Sequence, residues 1–80
     1  MSAWPDLTSL ELLVAIADHG SVGAAARAVG VAQPNATRSI GRLERALGVD
    51  LVVRSTRGST LTPAGMTIVE LARRMLSAAT

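Results

Sequence analysis

The stretch VGAAARAVGVAQPNATRSIG, residues 22–41, decides how this chain is read. Its first part is a short helix, expected from about Val22 to Val29. Ala24, Ala25, Ala26 and Ala28 favour helix and carry little bulk, so a second helix can approach closely. Ser21 is the natural N-cap, with a hydroxyl that accepts a backbone N–H. Gly30 ends the helix in a left-handed conformation. A tight turn, Gly30-Val31-Ala32, leads to a longer helix, expected from about Gln33 to Leu47 and stopped by Gly48. Pro34 sits in its first turn, where a missing N–H costs nothing. Ala32 holds the cap position and cannot cap, a weakness of roughly 1 kcal/mol. Ala36, Ile40, Leu43 and Leu47 form the inward stripe, which leaves Gln33, Asn35, Thr37, Arg38, Arg42 and Arg45 outside.

Two short helices joined by a glycine-containing turn follow the helix-turn-helix plan. In that plan the second helix lies in the major groove and its N-terminal residues meet base edges. Gln33, Asn35 and Arg38 suit such reading, since Gln and Asn pair bidentately with adenine and Arg with guanine. By helix pattern alone, an ordinary helical hairpin with a polar outer face reads equally well.

Working outward, an earlier helix is expected from about Leu7 to Asp18, capped by Asp6 or Thr8 and stopped by Gly20. Leu10, Leu13, Val14 and Ala17 form its buried stripe. Beyond Gly48, Leu51-Val52-Val53 pairs with Ser59-Thr60-Leu61 across Arg57-Gly58, with Arg54, Ser55, Thr56 and Arg57 at the tip. The last helix starts at Pro63 with Thr62 as N-cap and runs to the end. Its polar residues, Thr67, Glu70, Arg73, Arg74 and Ser77, make one narrow stripe. The remaining circumference is apolar, more than one small core covers, and calls for a second buried contact.

Composition narrows the function. Eighty residues make one small domain. With no cysteine and one histidine, His19, neither disulfides nor a zinc site is expected, and no cofactor is. His19 at a helix end meets terminal carbonyls rather than a substrate, and no catalytic constellation is present, so no enzyme is expected. Glu44 is read as the partner of an arginine such as Arg27 or Arg45, Arg73 and Arg74 as a solvated face, and Trp4 as an anchor over the core or a dimer partner. No run is long enough to span a bilayer and no secretory leader is recognised, so the cytoplasm is expected. All eight basic residues are arginines, and six of them, Arg27, Arg38, Arg42, Arg45, Arg54 and Arg57, lie within residues 27–57. That segment carries +4 against −2 for the remainder, which suggests a polyanion partner. With no Phe or Tyr and one Trp, a base-stacking platform for single strands is disfavoured. A helix in duplex DNA needs none.

Taken in order, these elements resemble the N-terminal domain of LysR-type transcriptional regulators. The resemblance is carried by Gly20-Ser21 and the alanines up to Ala26, by Ala32-Gln33-Pro34, and by Ile40 with Leu43-Glu44 and Leu47-Gly48. Leu51, Arg54 and Arg57 follow at family spacing, then Leu61 to Gly65 as LTPAG. It covers about residues 7–79. The resemblance implies an all-α fold with a small β-hairpin wing: a winged helix-turn-helix over residues 1–62 (helix-turn-helix 22–41, wing about 51–61), then a linker and dimerisation helix over 63–80. It implies sequence-specific duplex DNA binding in bacterial transcription regulation. Gln33, Pro34, Asn35, Thr37 and Arg38 would face the major groove, with Arg42 further along the same helix. Arg54 and Arg57 would approach the minor groove and backbone, and Ser21 a phosphate. The last helix would pair two subunits through Ile68, Leu71, Ala72, Met75, Leu76 and Ala79, giving a homodimer on an inverted-repeat site. A small-molecule inducer would act only through a larger C-terminal domain absent here, because the chain stops where the linker helix would continue.

The sequence departs from the family pattern at Ala32, often Ser, and at Leu13 and Val52, usually near or at Phe. Asn35-Ala36-Thr37 stands for the more usual Ala-Leu-Ser, which makes the groove face more polar and implies an atypical preferred DNA sequence. Two readings from other classes compete. One is a helical protein-interaction module using the apolar last helix. The other is a membrane-surface amphipathic element, disfavoured by the few arginines on that helix.

Overall fold

Three helices, a hairpin and a fourth helix follow one another: α1 (Leu7–His19), α2 (Val22–Val29), α3 (Gln33–Leu47), β1 (Val52–Ser55), β2 (Gly58–Leu61) and α4 (Pro63–Ala78). The computed structural model describes residues 7–78. Trp4, Asp6 and Ala79 lie outside them, and Thr8 lies within α1 rather than at its cap. The fold is a winged helix-turn-helix, all-α apart from the hairpin.

Helix α1 is the central element and packs on α2, α3, α4 and β2. Its buried face is Ser9, Leu12, Leu13, Ala15 and Ile16. The expected stripe shares only Leu13 with it. Leu10 and Val14 pack at the margin of the core, and Ala17 is exposed. Both stripes have helical spacing, because Leu12 to Ala17 is apolar on two adjoining faces, and the surrounding elements select between them. Leu12, Leu13, Ile16, Ile40 and Leu51 are the largest side chains fully removed from solvent. Each such burial is worth roughly 1.5–3 kcal/mol.

Strands β1 and β2 pair antiparallel, Val52 opposite Leu61 and Ser55 opposite Gly58. The turn is therefore Thr56-Arg57, one residue earlier than expected, and Arg54 and Ser55 belong to β1. Leu51 is not in the strand. Its side chain instead fills the core, fully buried, below the hairpin.

Helix α4 begins as its sequence demands. Thr62 Oγ1 accepts the Gly65 N–H at 3.0 Å and donates to the Asp50 carbonyl at 2.7 Å. The first turn of α4 then lies directly on the chain at Leu51. A Cβ at Gly65 would stand 2.1 Å from the Leu51 carbonyl oxygen, so only glycine permits this approach. Val69 and Ala72 carry the α4 contact into the core.

Candidate nucleic-acid interface

Ser21 caps α2 as its chemistry requires, with Oγ accepting the Ala24 N–H at 3.0 Å. Its hydroxyl carries one donor besides this acceptor role. The N–H groups of Gly30 and Val31 both donate to the Ala26 carbonyl, at 2.8 and 2.9 Å, and close the turn. Gly30 takes φ 90°, the left-handed conformation that glycine adopts without strain. Gln33 lies against α2: a Cβ on Gly23 would meet its Oε1 at 3.2 Å.

Helix α3 starts at Gln33 with no side-chain cap from Ala32. Its first turn therefore leaves backbone N–H groups for an outside acceptor, and a helix N-terminus favours an anion there. Gln33, Pro34, Asn35, Arg38 and Arg42 are exposed, while Thr37 is half-buried. Ala36, Ser39, Ile40 and Leu43 hold the opposite face in the core. Ser39 is an addition to the expected stripe, its hydroxyl facing the Arg42 guanidinium at 3.4 Å. Asn35 and Arg38 are not independent of each other. One Arg38 Nη2 donates to Asn35 Oδ1, so the acceptor that asparagine would present to adenine is engaged within the helix.

The wing tip is built by Ser55, which accepts the Arg57 N–H at 3.2 Å and donates to the Gly58 carbonyl at 3.3 Å. Arg54 and Arg57 are exposed on it. The tip half of the wing is fixed to the end of α1 by the Ser59 N–H, beside the turn, which donates to the Gly20 carbonyl at 2.9 Å.

Glu44 overturns its sequence reading. Among the described residues it pairs with no arginine. Its Oε2 accepts the N–H groups of Leu51 and Val52, at 2.8 and 3.2 Å, where the chain enters the wing. The signal available in sequence was its place in the last turn of α3, seven residues before Leu51. Arg73 also differs, for it is not merely solvated. It bonds Asp18 at 2.7 Å, joining α4 to the end of α1, and this is the one ion pair among the described residues. The hydrogen bond from Arg73 holds the Asp18 carboxyl below its ordinary range, and the same contact raises Arg73. The six arginines of residues 27–57 are thus all exposed, and none has a carboxylate partner among the described residues.

Leu10, Leu43, Leu47, Ile68, Leu71, Ala72 and Met75 line an apolar groove of about 170 Å³ between α1, α3 and α4. Leu71 and Met75 are 49% and 54% exposed on its rim. Ile68 and Leu76 are half-buried. Ala72 differs from its expected place at a partner's surface: it is 1% exposed, because the chain's own core already covers it.

The sequence profile of the bacterial regulatory helix-turn-helix proteins of the lysR family matches residues 7–66. This chain belongs to the lysR family. Among its LysR-family relatives, the HTH-type transcriptional regulator TfdS of Cupriavidus pinatubonensis (strain JMP 134 / LMG 1197) is 52% identical over 71 residues, 89% of this chain and 24% of TfdS. ClcR of Pseudomonas putida, another HTH-type transcriptional regulator, is 46% identical over 71 residues, again 89% of this chain and 24% of the relative. The chain thus spans about a quarter of the length of these LysR-family relatives. The DNA-binding domain of CbnR, solved in complex with DNA, superposes with TM-score 0.86 at 43% identity, over 92% of this chain and 85% of that one. That of BenM, in complex with benA site 1 DNA, gives 0.85 at 34% identity, over 92% and 86%.

Proposed function

We propose that this LysR-family chain reads duplex DNA in transcription regulation, with α3 in the major groove and the β1–β2 wing on the flanking backbone. The observation that carries this is the set of six exposed arginines with no carboxylate partner among the described residues. Desolvating them against protein would cost far more than placing them on phosphates, where counterion release favours binding. Gln33, Pro34, Asn35, Thr37 and Arg38 supply the reading surface, with Arg42 beside them. Ser21, Arg54 and Arg57 contact the backbone or minor groove. The likeness to the CbnR and BenM domains solved with DNA supports the same reading. We assign this chain a binding role and no enzymatic one. The test is selection of bound sequences from a random duplex library, then titration of the selected site against salt. A steep negative slope of log affinity on log salt is expected. Failure to bind any duplex at low salt would refute the reading.

The partner's finer features belong to the same proposal. Two copies pair through Ile68, Leu71, Met75 and Leu76 of α4, at the groove beside Leu43 and Leu47. Each Leu- or Met-sized side chain covered is worth roughly 1.5–3 kcal/mol, so a few suffice for a dimer. A two-fold pair presents its α3 helices to major grooves ~34 Å apart, on an inverted repeat. Leu71→Glu with Met75→Glu should turn a dimer into a monomer by light scattering and weaken binding to the full site. A wild type that is monomeric yet binds the inverted repeat tightly would refute the pairing. Capture of an unrelated protein by the same groove would favour an interaction module instead. Among the described residues no helix is long and apolar enough to cross a membrane. We place this regulator in the cytoplasm, with any inducer acting through a further domain beyond α4.

A further inference from the structure

We propose that Glu44 is a positioning residue for DNA binding: its carboxylate ties the end of α3 to the root of the wing and sets the wing's orientation on the duplex. This rests on the reading of α3 and the wing given above.

The argument starts from backbone amides. The N–H groups of Leu51 and Val52 stand where the chain leaves the α3 turn and enters β1. Both converge on one oxygen, Glu44 Oε2. Without it, two amides in a half-buried place would lack an acceptor. A carboxylate is the strong choice for that role, since charge-assisted hydrogen bonds are shorter and stronger than neutral ones. The same short segment is where the other elements meet. The Leu51 carbonyl accepts the Thr62 N–H at 3.0 Å, the Asp50 carbonyl accepts Thr62 Oγ1, and Gly65 lies on Leu51 from α4. The Leu51 side chain is anchored in the core. Among the described residues, Glu44 makes the only side-chain hydrogen bonds from α3 to this junction. It contributes nothing to the exposed basic face. Its place is at the end of α3 opposite the reading residues, so it acts on DNA only through the wing.

The test is a double-mutant cycle on the 80-residue chain, read as affinity for the selected duplex. Arg57→Ala should cost about tenfold in the wild-type background, the effect of losing one charge-assisted contact. In Glu44→Ala it should cost less than about twofold, because a misdirected wing no longer delivers Arg57. Arg38→Ala should cost the same factor in both backgrounds; a general loss of stability would leave the Arg57→Ala factor unchanged as well. Glu44→Gln should restore the wild-type pattern, since one carbonyl oxygen can accept both amides. Residual dipolar couplings of the free protein supply a readout independent of DNA. Amides of residues 53–60 should fit one alignment with α1–α3 in the wild type and Glu44→Gln, and a different one in Glu44→Ala. If Glu44→Ala does not fold, Glu44→Asp, shorter by one methylene, is read the same way. Equal Arg57→Ala factors in both backgrounds, with couplings unchanged, would overturn the inference. An Arg57→Ala variant with no effect in the wild type would refute the wing's contact with DNA instead, and the couplings would then decide on Glu44.

Discussion

Gly65→Ala is the sharpest test of the packing that carries α4. In an isolated helix this substitution stabilises, by roughly 1 kcal/mol, because alanine restricts the unfolded chain and favours helix. Here the added methyl would stand 2.1 Å from the Leu51 carbonyl oxygen and 3.1 Å from its carbonyl carbon. Both are backbone atoms, so no side chain can swing away. Reaching ordinary contact requires α4 and the Leu51 segment to separate by roughly 1 Å. Two hydrogen bonds span that seam, Thr62 N–H to the Leu51 carbonyl and Thr62 Oγ1 to the Asp50 carbonyl. Each is worth about 0.5–1.5 kcal/mol, and overpacking costs about 1–3 kcal/mol more. After the propensity gain, a net loss of roughly 1–5 kcal/mol remains. For a domain this small each 1 kcal/mol lowers Tm by about 4–8 °C. The matched control is Gly41→Ala, also within a helix. Its methyl would meet only the end of the Arg45 side chain, at 3.6 Å, so propensity should prevail and stability rise by about 0.5–1 kcal/mol. Urea unfolding followed by circular dichroism, at one fixed protein concentration, measures both. A Gly65→Ala variant as stable as wild type, or more so, would show that α4 does not rest on Leu51 in this way.

Arg38→Ala should weaken the selected site by about 1–3 kcal/mol and relax preference at one base pair; a uniform loss on all sequences would assign Arg38 to phosphate. Because Arg38 bonds Asn35, the Asn35→Ala and Arg38→Ala losses should be non-additive in a binding cycle, and strict additivity would mean the pair separates on DNA. Arg57→Ala should flatten the salt slope by about one unit if it neutralises one phosphate, whereas a loss confined to A·T-rich flanks would place it in a narrow minor groove. The Asp18–Arg73 pair depresses the native Asp18 pKa, so its contribution is present above the ordinary carboxylate range and is lost as pH falls through the depressed value. Asp18→Asn should therefore lose stability slightly at neutral pH and not at strongly acid pH, and high salt should shrink the difference; an Asn variant equally stable throughout would show the exposed pair to be inert.

What was legible in sequence is what one or two residues settle locally. Ser21, Gly30, Gly48 and the Thr62-Pro63 step fix where helices begin and end, because a cap needs only its own side chain or backbone freedom. The exposed face of α3 was legible for the same reason, since Ala36, Ile40 and Leu43 leave no other face to bury. The missed features depend on neighbours distant in sequence. Which of two apolar stripes α1 buries is set by the four elements around it. The hairpin register is set from below, where Ser59 bonds Gly20 and Leu51 is held in the core. Glu44 was given to an arginine because charge is visible in sequence and a pair of backbone amides is not. Ala72 looked available to a partner because an apolar helix face does not show how much of itself the monomer uses.

The two ends of α3 are built by opposite rules, and the contrast follows from what each end has to do. The C-terminal end is fully specified. Leu43 is in the core, Gly48 closes the helix with its N–H on the Glu44 carbonyl at 2.8 Å, and the Glu44 side chain holds the start of the wing. The N-terminal end breaks a local rule. Ala32 cannot cap, and the first turn carries exposed Gln33, Pro34 and Asn35 where a stabilised helix would place an acceptor. Restoring a serine there would satisfy a backbone N–H by roughly 1 kcal/mol, but would spend on the protein itself a donor that phosphate can use. Local inconsistency of this kind, beside an otherwise consistent helix, is where function is expected to sit. The Asn35–Arg38 bond fits the same pattern, since it ties a polar side chain of the first turn to one on the next. The N-terminal end is thus left uncapped by the protein and steadied from the other end, through the core and through the wing.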